Sequence, residues 1–370
     1  MTGNAKPPFR ADHVGSLLRP KELLDARARA QRGEITRAQL KAVEDESIRK
    51  AVALQERLGL QGVTDGEYRR TFFHIDFLEK LQGVAVKGGM AIKFHRKDSE
   101  VEFAPPRLEV TGKVRRTGGI VTEDFRFLKS VTKRTPKVCI PSPTMLHFRG
   151  GRAAIDRQAY PEIDPFFDDL AKAYREELSA LGELGARYVQ LDDTNLAYLC
   201  DPSIRERTRA IGEDPETLPK RYAELINHAI ADRPKDMVVC VHLCRGNFQS
   251  AWVAEGGYDP VAESLFSHLK VDGYFLEYDD ERSGDFRPLR FMPKDKTVVL
   301  GLISSKVPAL ESKDLLKRRI EEAGKFVDPA RLALSPQCGF SSTVEGNRIT
   351  EADEIAKLKL VVDVAREVWG

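Results

Sequence analysis

The stretch Val238-Val239-Cys240-Val241-His242-Leu243-Cys244-Arg245-Gly246-Asn247 runs apolar and β-branched, then stops in a His-x-Cys pair and loop residues. In an extended strand, residues two apart share a face. His242 and Cys244 are therefore expected side by side at a strand end, an N/S pair suited to Zn²⁺. Two further ligand types occupy similar settings. Glu277 ends Gly273-Tyr274-Phe275-Leu276-Glu277, and Cys338 follows Leu332-Ala333-Leu334-Ser335-Pro336-Gln337. A histidine, two cysteines and a glutamate at successive strand ends predict a mononuclear zinc site made by His242, Cys244, Glu277 and Cys338. Cys139, Cys200 and Cys240 have no metal-binding neighbour at useful spacing and read as small buried hydrophobes.

Working outward, short β-rich runs recur at 9–15, 62–65, 137–141, 187–191, 237–243, 273–278, 297–303 and 332–335. Helical periodicity fills 37–58, 165–184, 218–231, 261–269, 312–323 and 351–368. Such alternation predicts βα units and a parallel sheet. Eight units point to an α/β fold of the (β/α)8 TIM barrel type, a single catalytic domain over 1–370. A doubly wound sheet wants a Gly-rich dinucleotide turn after an early strand, and His13-Val14-Gly15-Ser16-Leu17 is not one.

The region from about 82 to 119 breaks the pattern with Gly88-Gly89, Pro105-Pro106 and Gly118-Gly119 around the alternating stretches 90–95 and 107–114. It predicts a β-hairpin insertion between barrel strands 2 and 3, placed near the mouth where βα loops gather.

Composition narrows the class. The chain has 370 residues, and its 59 basic and 57 acidic side chains nearly cancel. That balance gives no electrostatic argument for nucleic-acid or membrane binding. The longest apolar runs are strand-sized, well short of the ~20 residues that span a bilayer. The start, Met1-Thr2-Gly3-Asn4-Ala5-Lys6-Pro7-Pro8, lacks the apolar core of a signal peptide. Five scattered cysteines do not make a disulfide framework. The expectation is a cytoplasmic enzyme, with its oligomeric state left open.

In a barrel, strand-end residues become a set facing one site. Here they are His13 and Ser16, Asp65 and Glu67, Ser142 and Thr144, Asp192 and Asp193, His242 and Cys244, Glu277, Ser304 to Lys306, and Cys338. Polar groups gather at this face while the strand bodies stay apolar, which favours an enzyme over a scaffold.

Those residues, in that order, resemble cobalamin-independent methionine synthase, and most closely its short single-barrel relatives similar to the catalytic half. The likeness includes His13-Val14-Gly15-Ser16, Asp65-Gly66-Glu67, Pro141-Ser142-Pro143-Thr144-Met145-Leu146 and Gln190-Leu191-Asp192-Asp193. The resemblance implies methyl transfer from a folate to the thiol of homocysteine, with zinc holding that thiol. It places His242, Cys244, Glu277 and Cys338 on the zinc. Val14, Gly15 and Ser16 correspond to the segment that holds the amino acid. Glu67 and Asp192 correspond to carboxylates that bind homocysteine through its ammonium group.

Elementary chemistry agrees with that assignment. A free thiol with pKa ~8.5 is mostly protonated at neutral pH; bound to a metal ion it is deprotonated outright. Two thiolates and a carboxylate would keep such a sulfur electron-rich. Glu277 is the ligand expected to yield when substrate arrives.

Departures from the family cluster on the methyl donor's side. Phe148 stands where the full-length enzymes place a folate-stacking Trp, and Asp192-Asp193-Thr194-Asn195 replaces an Asp-Glu-Pro-Ala segment. Tyr198 takes the place of an acidic folate contact, and Val101-Glu102-Phe103-Ala104 precedes Pro105-Pro106 without the family's Arg-Cys pair. Lys306 aligns with the catalytic His, as a general acid or a binder of an anionic group. His147 offers a replacement donor contact and His13 a substrate contact; His74, His95, His228 and His268 read as surface or core. The expected partners are thus a small thiol, homocysteine first, and a donor that is either a methyl-folate or a methylated corrinoid protein. The alternative on the same scaffold is alkyl transfer to another small thiol, as in epoxide:coenzyme M transferases. A sulfonate-bearing thiol would favour cations over Glu67 and Asp192. A barrel-type zinc hydrolase would use more His and Asp ligands, and a structural zinc in a binding protein would unfold the chain on metal loss.

Overall fold

The computed structural model describes residues 6–89, 91–96 and 99–370. Met90, the expected start of an insertion strand, and the 1–5 part of the N-terminal reading lie outside the described residues. Twelve strands are seen among those described. The first, β1 (Gly62–Val63), is followed by β2 (Gln82–Lys87), β3 (Ile92–His95), β4 (Glu100–Phe103) and β5 (Arg107–Arg115). Then come β6 (Thr135–Pro136), β7 (Val138–Pro141), β8 (Tyr188–Asp193), β9 (Val238–Leu243), β10 (Gly273–Glu277), β11 (Thr297–Ile303) and β12 (Leu332–Pro336). Strands β7 to β12 form one six-stranded sheet in sequence order, and every pairing in it is parallel.

The sheet is parallel because a helix intervenes between most successive strands and each strand is buried on both faces. Residues of β8 and β10 are all buried, matching their unbroken apolar reading. The helix Arg37–Leu58 starts where Thr36 accepts from the Gln39 N–H while the Gln39 side chain accepts from the Thr36 N–H. It stops at Gly59, whose φ of +96° suits glycine. Expected helices at 165–184, 218–231, 261–269, 312–323 and 351–368 appear as Asp164–Glu183, Leu218–Ala229, Asp259–His268, Lys313–Ala323 and Glu351–Trp369.

Two of the eight expected strands are weakly formed. The 62–65 run shortens to the two residues of β1, paired parallel with β6. The 9–15 run contributes a single parallel bridge, Ala11 to Leu334. Its side chains nonetheless pack inward: Phe9 and Val14 join Tyr188, Cys240, Phe275, Val299 and Ala333 in one buried cluster. Beside them, Lys137 Nζ meets Asp12 Oδ1 at 3.1 Å and lies 4.1 Å from the Phe275 ring centre.

The 82–119 region pairs differently from the expectation. Strand 107–114 is present as part of β5, but its antiparallel partner is β2, not the 90–95 stretch. That stretch forms β3 and pairs with β4. The result is two nested antiparallel ladders, and the inner one is clasped to the loop after β9. His95 N–H donates to Trp252 O at 2.6 Å, and Trp252 N–H returns to His95 O at 2.9 Å. Among the described residues no helix is long and apolar enough to cross a membrane.

Candidate metal centre and pocket

Four neighbouring strands each bring one to three groups to the same end of the sheet. β9 carries His242 and runs into Cys244; β10 ends in Glu277. β11 runs into Ser304, Ser305 and Lys306, and β12 leads to Cys338 two residues past its last residue. The ligand atoms of His242, Cys244, Glu277 and Cys338 all lie within 4.8 Å of one another. The two sulfurs are 3.4 Å apart, close to the ~3.8 Å that tetrahedral Zn–S bonds of ~2.3 Å impose.

The donor set fits a metal on a second count. Both ring nitrogens of His242 and the Oε2 of Glu277 are buried without a hydrogen-bond partner among the described residues. Buried polar atoms are normally satisfied, so one His242 ring nitrogen and Glu277 Oε2 are free to share a common partner with the two sulfurs. Glu277 Oε1 is fixed by the Arg245 N–H at 3.2 Å, and the Glu277 N–H by the Tyr258 hydroxyl at 3.0 Å.

The electrostatics of the cluster show how closely its members interact. The Cys338 thiol is held well below its ordinary range, chiefly by its contact with Cys244. Cys244 is pushed up by the same contact and by burial. Burial acts to lower the His242 imidazole, but Cys338, Asp192 and Glu277 raise it. Burial raises Glu277, against the pull of the Lys306 charge. Lys306 is itself buried, with Nζ unpartnered among the described residues, and its charge acts on Cys244, Cys338 and Glu277.

Above the cluster opens a pocket of about 690 Å³. Its wall brings together Val14, Ser16, Glu67, Asp192, His242, Cys244 and Cys338. Gly15 does not face the pocket; it sits behind the acids, where an added Cβ would fall 2.5 Å from Glu67 Oε1 and 2.6 Å from Cys139 Sγ. Glu277 is fully buried beneath the sulfurs. The Ser16 hydroxyl accepts from the Ser341 N–H at 3.3 Å, tying the first loop to the one after β12. Asp192 accepts from Gln190 Nε2 at 2.7 Å, and the same amide nitrogen donates to Val14 O at 2.6 Å. Burial, with the charge of Glu67 adding to it, pushes the Asp192 carboxyl up to about 7. Glu67 has a φ of +59° and pairs with Arg70.

The structure separates the remaining histidines from the pocket, with one exception. His147 binds the Tyr222 hydroxyl at 2.8 Å through Nδ1 and Glu213 at 3.3 Å through Nε2, which is a packing role. His13 faces Gly62 O at 3.3 Å, and burial lowers it to about 4. His74 does line the pocket. Phe148 packs edge-on against Tyr198 and Tyr222 and offers no face to either of the two cavities near it. The aromatic wall comes instead from Phe72, Phe73, Phe94, Phe103 and Phe248, none of them read from the sequence as an aromatic contact. Phe103 and Phe248 stack at 4.0 Å and 9°. Arg70 was also overlooked, though its place three residues after Glu67 is visible in sequence. Cys139, read as packing, lies within 4.8 Å of the Glu67 and Asp192 carboxylates.

A parallel sheet whose strand ends converge on a His/Cys/Glu cluster beneath a half-enclosed pocket defines an α/β enzyme with a cysteine-rich cluster that could hold a metal ion. Residues 9–367 match the profile of the family described as "Cobalamin-independent synthase, Catalytic domain". The chain belongs to that family and is a methyltransferase. It is 48% identical to the Bacillus subtilis protein YxjH over 98% of this chain and 96% of the relative, which carries no assigned activity. Thermotoga petrophila 5-methyltetrahydropteroyltriglutamate–homocysteine methyltransferase is 24% identical over 98% of this chain, which spans 44% of that enzyme. A Listeria monocytogenes structure, provisionally assigned as a vitamin-B12 independent methionine synthase, superposes with a TM-score of 0.79. Its identity is 40%, with 99% of this chain and 100% of the other covered. The fold is shared with a B12-independent methionine synthase of Shewanella sp. W3-18-1 in complex with selenomethionine, at a TM-score of 0.71, 19% identity and 97% coverage of each chain.

Proposed function

We propose that this chain is a zinc-dependent methyltransferase that moves a methyl group to homocysteine and makes methionine. The observation that carries the reading is the pairing of the two sulfurs 3.4 Å apart with unpartnered His242 and Glu277 atoms, at the foot of a pocket that also holds Glu67 and Asp192. His242, Cys244, Glu277 and Cys338 would hold the zinc. When bound, zinc supplies a Lewis acid that keeps an acceptor sulfur in its thiolate form at neutral pH.

The chain's own residues do the rest. Asp192 and Glu67 receive the acceptor's ammonium as a charge-assisted contact, while Val14 and Ser16 hold its main-chain end and Gly15, behind the acids, lets the Glu67 carboxylate approach the loop. The aromatic wall excludes water from the transfer path, and positioning of the electrophile against the sulfur supplies most of the acceleration. Lys306, with its free ammonium beneath Glu277, is the group that would take up the charge of a displaced Glu277 or protonate the leaving donor. A methyl-folate or a methylated corrinoid protein would be the donor. The buried acid pair weighs against coenzyme M and other sulfonate thiols as acceptors.

The reading also takes the sheet as part of a closed (β/α)8 barrel, one domain over 1–370 with the 82–119 region inserted between strands 2 and 3. Support comes from the Ala11–Leu334 bridge at one edge and from the Lys137 N–H to Val63 O bond of 2.8 Å at the other. The inward cluster around Phe9 and Val14 fits the same closure. The test is zinc content together with zinc-edge X-ray absorption, with and without homocysteine. A site of two sulfurs and two N/O ligands that gains a third sulfur supports the acceptor. A zinc site blind to homocysteine moves the reading to another thiol, and absence of zinc overturns it.

A further inference from the structure

A second cavity, about 760 Å³, lies beside the metal-side pocket, lined by Ile92, Pro106, Leu108, Met145 and Leu146 among others. The two share three residues: His74, Pro105 and Arg149. Arg149 follows the short turn Pro143–Leu146 after β7 and lines both cavities at their junction.

Its guanidinium has no hydrogen bond or ion pair with any described residue. That sets it apart from the other arginines near the site. Arg19 bonds Ser341 and the Glu67 and Arg70 carbonyls. Arg70 is spent on Glu67 and the Ser341 and Ser342 carbonyls. The Arg245 guanidinium is also without a hydrogen bond among the described residues, but it is sealed away from both cavities and lies 4.6 Å over the Tyr258 ring. Arg149 alone among these presents an unmet charge to open space. A guanidinium in a largely apolar setting is costly unless an anion meets it. Beside it, His74 Nδ1 is buried and unpartnered as well, and its imidazole is kept neutral by burial and by the Arg149 charge.

We propose that Arg149 is the anion-recognition residue for the methyl donor, which is a small molecule with a flat or apolar body and a carboxylate, sulfonate or phosphate group. This rests on the proposed function, in which the acceptor fills the Glu67–Asp192 end of the pocket. The donor's body then lies along Phe72, Phe94, Phe103 and Phe248. Its oxyanion is taken by the guanidinium fork in a bidentate contact, and the neutral His74 ring supplies a further hydrogen bond.

The experiment compares benzoate with its uncharged isostere benzamide as probes, by isothermal titration calorimetry on the purified full chain. The expected result is benzoate binding at least about tenfold tighter. Arg149→Gln should bring that ratio close to one while leaving benzamide binding unchanged, and Arg149→Lys should keep part of it. Benzoate should still bind when homocysteine is saturating. A ratio near one in the unmodified chain, or a ratio undiminished in Arg149→Gln, overturns the proposal. Should Arg149→Gln fail to fold, an undiminished ratio in Arg149→Lys, whose ammonium lacks the fork, overturns it equally. Competition between benzoate and homocysteine assigns the anion to the acceptor and also overturns it. Failure of the zinc and homocysteine reading shows separately, in the X-ray absorption, and leaves the benzoate-to-benzamide ratio untouched.

Discussion

Asp192 and His242 stand directly opposite each other in register on the adjacent parallel strands β8 and β9. The acid proposed to bind the acceptor and the imidazole proposed to bind the metal are therefore placed by one backbone ladder. Their spacing does not depend on loop conformation. Replacing Asp192 by Ala should raise the acceptor KM about tenfold or more, the scale of a lost charge-assisted hydrogen bond at ~1.5–3 kcal/mol. Metal content should stay at the level of the unmodified chain. An unchanged KM would remove Asp192 from the acceptor pocket.

Cys338 leans on Cys244 across 94 residues of sequence. Cys338→Ser should cut zinc affinity by about a hundredfold or more, since a hard hydroxyl replaces a thiolate. Metal analysis after dialysis, with circular dichroism to confirm the fold, checks this. Full turnover by a metal-depleted Cys338→Ser protein would sink the zinc reading.

Gly15 combines a φ of +132° with the close approach of the Glu67 carboxylate. Gly15→Ala asks for a strained backbone and a shift of the acid at once. A stability loss of about 2 kcal/mol is expected from such combined strain, with a higher acceptor KM. A thermal melt and steady-state kinetics report the two effects separately; a melt unchanged within 1 °C and an unchanged KM would contradict the clash.

Lys306→Met should lower kcat by about a hundredfold, the usual scale for a lost acid–base group. Zinc content and acceptor KM should hold. Loss of zinc in this variant would instead make Lys306 a support for Glu277.

Glu354, outside the pocket lining, accepts from the Leu18 N–H at 2.8 Å. Burial raises its pKa from 4.5 to about 8. A carboxyl whose folded pKa is raised binds its proton more tightly in the folded state. Its contribution to stability is complete below the unfolded value near 4.5 and is lost as pH climbs through about 8. Glu354→Gln, which stays neutral, should melt higher than the parent at pH 9, by several degrees, and much closer to it at pH 5. An equal offset at both pH values would place the effect elsewhere.

The clustering of His242, Cys244, Glu277 and Cys338 was legible because each follows an apolar run whose two-residue period fixes its facing. The six strands of the main sheet were legible for the same reason, as uninterrupted buried runs. What escaped lies where no period governs. Phe72 and Phe73 sit in an irregular loop, Phe248 in another, and Phe94 and Phe103 on strands of a hairpin that faces the pocket only after the chain folds over it. The 107–114 strand was visible, but its partner was not, because two glycines and a short alternating run offered β2 and β3 equally. The 9–15 run reads as a strand yet forms one bridge. Its Asp12 turns inward to Lys137, Tyr188 and its own backbone, which takes the place of a regular ladder.

The four proposed ligands come from β9, β10 and the end of β12, with Lys306 at the end of β11 between them. An ion held there is a cross-link over the last four strands, closing a stretch of nearly a hundred residues without a covalent bond. Its occupancy would then set how often that part of the sheet opens, by mass action on the folded form alone. Amide hydrogen exchange should slow on loading at the ends of β9 to β12 and change far less around Arg37–Leu58, so metal supply would govern the local lifetime of one half of the molecule.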